Sequence, residues 1–233
     1  MSSLSGVILD LDGLMLDTER VARRAWRTAA AEFGYTIEDQ LYERVIGRTP
    51  EGTQEILKAQ LGDQFPFRKA LHHQQILLNG LIDQEGLERK PGLAQLLRTI
   101  EALRLKVAVA TSSRRASALR KLSAARMNGA FETLVCGDDV AKGKPAPDIF
   151  LAAARELGAR PEHCLVLEDS DAGALGAHAA GMRVILVPDL KTPSAETGSI
   201  AWRVCPSLGS AAALLRSMGP NGQPRSADSV DAA

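Results

Sequence analysis

Short apolar runs rich in valine, isoleucine and leucine recur along this chain, and a segment with helical periodicity follows each run. The runs cover residues 6–9, 106–110, 133–136, 164–167 and 183–187. They lack the alternation of polar and apolar residues that marks a strand with one face in water, so we expect them to be covered on both faces. Buried strands that alternate with helices are typical of a doubly wound α/β fold. The sequence therefore predicts a Rossmann-like parallel sheet with helices on both sides.

The interval between the first two runs is much longer than the others and has helical rather than strand character. At roughly 75 residues, from Asp17 to Lys90, it is too long for a loop and too regular for disorder. One amphipathic helix is marked by apolar residues at helical spacing, namely Ala22, Ala25, Trp26, Ala29 and Phe33. Two more helices are expected over residues 52–62 and 66–85. We interpret the interval as an all-helical cap domain, residues 17–88, inserted into an α/β catalytic core of residues 1–16 and 89–218.

Composition limits the class of protein and its partners. Lys and Arg together number 28, as do Asp and Glu, and the resulting zero net charge without a basic stripe argues against a nucleic-acid partner. No stretch has the length and apolar character of a membrane span, and no signal peptide precedes the first run. The 3 cysteines are interpreted as buried thiols in a reducing compartment. We expect a cytoplasmic monomer without a membrane partner, and a disordered tail over residues 219–233.

Polar and charged residues stand where the predicted strands end. In an open parallel sheet the ligand site lies beyond the carboxyl ends of the strands, so these side chains are expected to meet. They are Asp10 and Asp12 after the first run, Thr111 and Ser112 after the second, Lys144 before the helix that follows the third, and Glu168 and Asp169 after the fourth. Carboxylates crowded at one rim would repel one another without a cation, and Mg²⁺ binds to a few carboxylates together with water and phosphate oxygens. The sequence therefore predicts a magnesium site at this rim.

Four short motifs follow one another at these strand ends. They are Asp10-Leu11-Asp12-Gly13 with Asp17-Thr18-Glu19, then Thr111-Ser112-Ser113, then Lys144-Pro145-Ala146-Pro147-Asp148-Ile149-Phe150, then Glu168-Asp169-Ser170-Asp171-Ala172-Gly173. Together they resemble the haloacid dehalogenase-like phosphohydrolases, and the resemblance runs from about Val7 to Leu215. The helical insert also resembles the cap of that family, which follows the first motif. Relatives that cleave carbon–halogen bonds lack the second aspartate, and those that cleave phosphonates carry a small residue there. The resemblance therefore implies a phosphoric monoester hydrolase.

The resemblance implies a role for each matched residue. Asp10 would attack phosphorus and form an aspartyl-phosphate intermediate, while Asp12 would protonate the leaving oxygen and later activate water. The phosphoryl group would be bound by Asp10, Thr111, Ser112 and Lys144. Mg²⁺ would be held by Asp10, Asp12 through its main-chain carbonyl, Asp169, and Glu168 directly or through water.

Substrate choice depends on the cap. Arg48 lies in a Gly47-Arg48-Thr49 segment between two predicted helices, where relatives place a specificity loop that faces the active site. Contact with substrate and a surface ion pair are both open for this arginine, and we favour contact with substrate. The expected substrate is a small phosphorylated metabolite, such as a sugar phosphate, a polyol phosphate or a nucleoside monophosphate.

Two other functions compete with a phosphatase. A sugar-phosphate mutase resembling β-phosphoglucomutase would share the cap type, but that group carries a histidine where this chain has Ala22, and an arginine near Pro50 or Glu51 that is also missing. A non-catalytic binding or regulatory module is the second alternative. Such proteins typically lose the nucleophile or a metal ligand, whereas Asp10 and Asp169 are both present.

Overall fold

Six parallel strands form the centre of the molecule, which a computed structural model describes over residues 4–218. The strands are β1 (Gly6–Leu9), β2 (Lys106–Thr111), β3 (Thr133–Cys136), β4 (Cys164–Glu168), β5 (Arg183–Leu186) and β6 (Arg203–Val204). Their order across the sheet is β3-β2-β1-β4-β5-β6, which confirms the predicted doubly wound parallel sheet. The sequence does not predict β6, because two exposed residues at the sheet edge carry no apolar run. The predicted tail, residues 219–233, lies outside the described residues.

The helices explain why the strand sequences lack polar alternation. They are α1 (Thr18–Ala31), α2 (Asp39–Val45), α3 (Pro50–Leu61), α4 (Phe67–Glu85), α5 (Leu93–Ala102), α6 (Arg115–Ala124), α7 (Asp148–Glu156), α8 (Asp171–Ala179), α9 (Ala195–Ile200) and α10 (Leu208–Ser217). Successive side chains of a strand point to opposite faces. Val7 and Leu9 pack into an apolar cluster with α5, α6 and α10, whereas Ile8 packs into a second cluster with α7 and α8. Within residues 4–218, no helix combines the length and the apolar character that a membrane crossing requires.

Helices α1 to α4, here called the helical insert, lie between β1 and β2 in the chain and surround an apolar cluster of their own. Trp26 of α1 stacks on Phe67 of α4 with ring centroids 6.1 Å apart. The helices expected over residues 52–62 and 66–85 correspond to α3 and α4, whereas α2 is not predicted because its 7 residues are too few to show a period. The division into a cap of residues 17–88 and a separate core stays a prediction.

The two segments that join the helical insert to the sheet lie side by side. Leu16 forms a β-bridge with Arg89, and the Asp17 N–H donates a hydrogen bond of 2.9 Å to the Glu88 carbonyl. The insert therefore leaves and returns next to the carboxyl end of β1. In the sheet order β1 stands between β2 and β4, at the point where the winding reverses, and this is where open α/β sheets bind their ligands.

Candidate active site

Asp10 follows β1 directly, and its side chain is almost entirely out of water, with 6% of the residue exposed. Lys144 Nζ donates to Asp10 Oδ1 at 2.5 Å and to Glu168 Oε1 at 2.5 Å. A third hydrogen bond of 3.0 Å, to the main-chain carbonyl of Ala110, uses the remaining proton of the ammonium group. One lysine side chain therefore connects the carboxyl ends of β1, β2 and β4.

Glu168 is the last residue of β4 and is fully buried. Its Oε2 accepts hydrogen bonds from Ser170 Oγ at 2.9 Å and from the Asp169 and Ser170 main-chain N–H groups at 3.2 Å each. Gly173 of α8 packs against this carboxylate so closely that a Cβ there would lie 1.9 Å from Glu168 Cδ. Since Lys144 donates to its other oxygen, the protein alone fixes the position of Glu168.

The carboxylates of Asp10, Glu168 and Asp169 form a cluster that could bind a divalent metal ion. Each can offer one oxygen, and these oxygens lie within 4.8 Å of one another. Burial raises the pKa of Asp10 to about 8; Lys144 opposes the rise, and the charges of Glu168 and Asp12 add to it. Burial also raises the pKa of Asp169 well above its usual range, and the charges of Asp10 and Glu168 add to the rise. One ammonium group therefore leaves excess negative charge, and an all-oxygen donor set with that excess fits a hard divalent cation.

Asp12 has a separate set of partners. Lys121 Nζ donates to its Oδ1 at 2.6 Å, while Ser113 Oγ and Thr111 Oγ1 donate to its Oδ2 at 2.8 and 3.3 Å. Burial alone would raise the pKa of Asp12, but the charge of Lys121 and the hydrogen bonds outweigh burial and hold this pKa below its usual value. The two aspartates of the first motif therefore differ, because protonation is favoured at Asp10 and ionisation at Asp12.

The three hydroxyl residues at the end of β2 have different surroundings. Thr111 is buried and Ser112 is exposed to the cavity described below. No side-chain hydrogen bond of Ser112 is found within residues 4–218, so its hydroxyl is open to a ligand. Ser113, which belongs to the second motif but is not among the predicted site residues, is the serine that contacts Asp12.

Lys121 of α6 is a second residue of this site that the sequence motifs do not predict. It lies 109 residues from Asp12 in the chain, so no local motif connects the two. Lys121 shares the buried face of its helix with Ala118 and Leu122. Helical periodicity predicts an apolar residue at this position, and a buried lysine is rare without a charged partner. The lysine on the apolar face is therefore the one sequence signal that could have indicated a buried ion pair.

A cavity of about 450 Å³ opens between the carboxyl ends of the strands and the helical insert. The sheet side contributes Asp10, Asp12, Thr111, Ser112, Lys144 and Asp169 to its lining. Arg48 and Glu19 line it from the insert. Glu19, which was not predicted as a site residue, accepts a hydrogen bond of 3.0 Å from the Tyr42 hydroxyl, and burial raises its pKa. The insert therefore adds one cation and one carboxylate to a site that the sheet otherwise builds.

Gly13 follows Asp12 in a tight turn with a φ of 82°. A Cβ at this position would lie 2.2 Å from Asp169 Oδ2. Glycine is therefore required both for the left-handed backbone and for the close approach of the Asp169 carboxylate.

Comparison with known proteins agrees with the motifs and the fold. Residues 7–187 match the model of the haloacid dehalogenase-like hydrolases. The phosphorylated carbohydrates phosphatase of Thermotoga maritima is 32% identical over 205 residues, which cover 85% of this chain and 93% of that protein. The β-phosphoglucomutase of Bacillus subtilis is 32% identical over 189 residues, 77% of this chain and 81% of that protein.

A solved structure shows the same architecture. The crystal structure of CbbY from Rhodobacter sphaeroides in complex with phosphate gives a TM-score of 0.73 at 27% identity, and the match covers 88% of this chain and 95% of that one. The sheet, the rim residues and the family match point to one conclusion. This chain belongs to the haloacid dehalogenase-like hydrolase family, and it is an enzyme of the phosphoric monoester hydrolase class.

Proposed function

We propose that this enzyme is a Mg²⁺-dependent phosphatase that hydrolyses a small phosphorylated metabolite through an aspartyl-phosphate intermediate on Asp10. The observation that supports the proposal most directly is the contact of 2.5 Å between Asp10 and Lys144 at the wall of a cavity that Asp12 and Asp169 also line. A nucleophile, an acid/base group and a phosphate-binding cation thereby face one space of suitable size for a small ester.

In the first step Asp10 attacks phosphorus while the bond from phosphorus to the ester oxygen breaks. Asp12 enters this step protonated, although its pKa in the free protein favours ionisation, and it gives its proton to the ester oxygen. In the second step water attacks phosphorus, the bond to Asp10 breaks, and Asp12 takes a proton from the water. Lys144 and the hydroxyl of Ser112 hold the phosphoryl oxygens during both steps, and buried Thr111 supports this loop from beneath through its hydrogen bond from the Ser113 N–H.

Asp10, Asp169 and the main-chain carbonyl of Asp12 are the ligands that we propose for Mg²⁺. We assign Glu168 contact through water, because donors from the protein already occupy both of its oxygens. When bound, the ion offsets the negative charge of these carboxylates and of the phosphoryl group. The raised pKa of Asp10 supports this assignment, because a nucleophilic aspartate has to be ionised near neutral pH and Lys144 alone does not achieve it.

The substrate class that we propose is a sugar phosphate, a polyol phosphate or a nucleoside monophosphate. Arg48 is exposed, lines the cavity and has no ion pair within the described part of the chain. It can therefore donate hydrogen bonds to the sugar, polyol or nucleoside part of the substrate, away from the reacting phosphate. Glu19 can accept from a substrate hydroxyl on the same side of the cavity. The name of the Thermotoga relative, a phosphatase of phosphorylated carbohydrates, agrees with this class.

The experiment that tests the function is a screen for release of inorganic phosphate from a panel of these three ester classes, with Mg²⁺ and with EDTA. We expect turnover of at least one class with Mg²⁺ and loss of that turnover with EDTA, restored by added Mg²⁺. Activity that persists in EDTA, or no turnover across the panel, would contradict the proposal. Arg48→Ala belongs in the same panel with Arg44→Ala as a matched control, since Arg44 is an exposed cap arginine whose side chain donates to Gln60. Contact of Arg48 with substrate requires that only Arg48→Ala raises KM.

The turn at Gly13 gives a prediction about metal binding. Gly13→Ala should raise the Mg²⁺ concentration for half-maximal activity by about 10-fold or more, because the new methyl group displaces Asp169 and supporting contacts of metal ligands are typically worth this much. Calorimetric titration with Mg²⁺ and the metal dependence of turnover measure the effect. Gly34→Ala is the matched control: Gly34 has a φ of 79°, but nothing lies within 4 Å of its added Cβ. Equal effects of both variants would show that backbone strain alone is responsible and that Asp169 is not displaced.

A sugar-phosphate mutase remains the alternative, and the Bacillus subtilis relative is the observation that favours it. Ala22 lines a side cavity of about 200 Å³ with Glu19 and Arg48, and its methyl group cannot exchange protons with a sugar hydroxyl. We therefore propose that water, rather than a second hydroxyl, accepts the phosphoryl group. The enzyme is incubated with β-glucose 1-phosphate and a trace of the 1,6-bisphosphate. Glucose 6-phosphate that forms faster than inorganic phosphate would reverse this preference.

A further inference from the structure

Lys121, Asp12 and Ser113 form a closed triangle of hydrogen bonds. Its Nζ donates to Asp12 Oδ1 at 2.6 Å and to Ser113 Oγ at 2.8 Å, and Ser113 Oγ donates in turn to Asp12 Oδ2 at 2.8 Å. The lysine side chain is 11% exposed. It does not line the cavity of about 450 Å³ in which the substrate would bind. Lys121 therefore contacts Asp12 on the side away from the cavity and does not contact the ester.

The two carboxylate oxygens of Asp12 differ in the number of hydrogen bonds that they accept. A carboxylate oxygen has about two acceptor positions. Oδ2 accepts from Ser113 and Thr111, which fills it, whereas Lys121 is the one donor in hydrogen-bond contact with Oδ1 within residues 4–218; the hydroxyl of buried Thr18 makes no such contact there. One acceptor position of Oδ1 is thus open, and its direction is set by the bond to Lys121.

We propose that Lys121 is a positioning residue for the step in which water hydrolyses the aspartyl-phosphate. This inference rests on the proposed function, because it assumes that step. As the water oxygen bonds to phosphorus, the bond between phosphorus and the Asp10 oxygen breaks and its electron pair returns to the Asp10 carboxylate. The proton from water moves to Asp12 Oδ1, and Lys121 keeps its own protons. Without Lys121 the Asp12 carboxylate rotates away from the water, and the phosphorylated enzyme persists.

The test uses p-nitrophenyl phosphate, whose leaving group departs without a proton, so that formation of the phosphoenzyme does not depend on Asp12. Stopped-flow release of p-nitrophenolate measures the first turnover, and rapid quench of ³²P-labelled enzyme measures how fast the phosphoenzyme decays. For Lys121→Met we expect decay to slow by about 10- to 100-fold, a part of what an acid/base group contributes, while the first turnover changes by less than about threefold. Lys121→Gln, which keeps one donor towards Asp12, should recover part of the decay rate.

Arg120→Met is the matched control, because Arg120 precedes Lys121 on α6 and its side chain pairs with the surface residue Asp83. It should leave both rates unchanged. Equal slowing of both rates in Lys121→Met, or an unchanged decay rate, would overturn the role of Lys121. If Lys121→Met does not fold, the same comparison is made with Lys121→Gln alone, and an unchanged ratio of the two rates overturns the role. Failure of the proposed function is distinguishable, since the unaltered enzyme would then form no phosphoenzyme at all.

Discussion

Asp10→Asn should lower phosphate release by about 10⁴-fold or more, which is the scale of loss when a covalent nucleophile is removed. The asparagine amide has the size of the carboxylate but no oxygen of comparable nucleophilicity, so chemistry is lost while the shape of the site is kept. The pKa of Asp10, raised to about 8, is relevant to this expectation, because activity requires the ionised form that burial and the neighbouring carboxylates disfavour. Turnover of the preferred ester with saturating Mg²⁺ is the measurement.

Asp83→Asn is the matched control for the nucleophile. Asp83 lies on α4 with its side chain 56% exposed, and it pairs with Arg120 at the surface. The control should retain the activity of the unaltered enzyme, and circular dichroism should show both variants folded. An Asp10→Asn variant that retains a tenth of the activity would place the nucleophile elsewhere and remove the aspartyl-phosphate from the mechanism.

The sequence is informative about this site to the extent that its residues stand at strand ends. Asp10, Thr111 and Asp169 are brought together because each stands at the end of a short buried strand, and parallel topology places these strand ends at one edge of the sheet. Lys121 and Glu19 lie on helices and not at strand ends. Lys121 is 109 residues from Asp12 and reaches the site through packing between distant elements, which a linear pattern does not encode. Glu19 belongs to the first motif, but its position on α1 does not by itself predict that it lines the cavity.

The elements of the fold divide in the same way, into those that the local sequence predicts and those that tertiary contacts determine. The short apolar runs predict five strands, because burial on both faces requires an unbroken apolar sequence in each of them. Strand β6 has no such run: it exists because Trp202 and Cys205 donate main-chain hydrogen bonds to the neighbouring β5 region, at Val184 and Leu186. Helix α2 is likewise set by packing, since Leu41 and Tyr42 enter the apolar cluster of the helical insert.

Lys144→Met should cost both activity and stability, because it removes the only cation in contact with Asp10 and Glu168 within the described chain. Breaking a buried ion pair from one side typically costs about 3–5 kcal/mol of unfolding free energy, since the remaining charge is left in a region without water. Turnover should fall by about 10²-fold or more, as when a group that stabilises transition-state charge is lost. Urea unfolding in EDTA and phosphate release with Mg²⁺ measure the two effects. Lys142→Met, two residues away and exposed, should show neither.

The stability loss in Lys144→Met should depend on pH, and the protonation of Asp10 determines whether the loss grows or shrinks as pH rises. The pKa of Asp10 is raised to about 8 from an ordinary value of 3.8 even with Lys144 present, and loss of the ammonium group raises it further. The folded state then binds more protons than the unfolded state between these values, so stability falls as pH rises through that window. Well below pH 8, Asp10 is protonated in both proteins and does not repel Glu168, so the deficit relative to the unaltered enzyme should be smaller at pH 5 than at pH 9, where mainly the unaltered enzyme has lost this proton. A deficit that is equal at both pH values would mean that Lys144 stabilises the fold by packing against Phe150, whose ring centroid lies 5.1 Å from Nζ, rather than by neutralising the carboxylates.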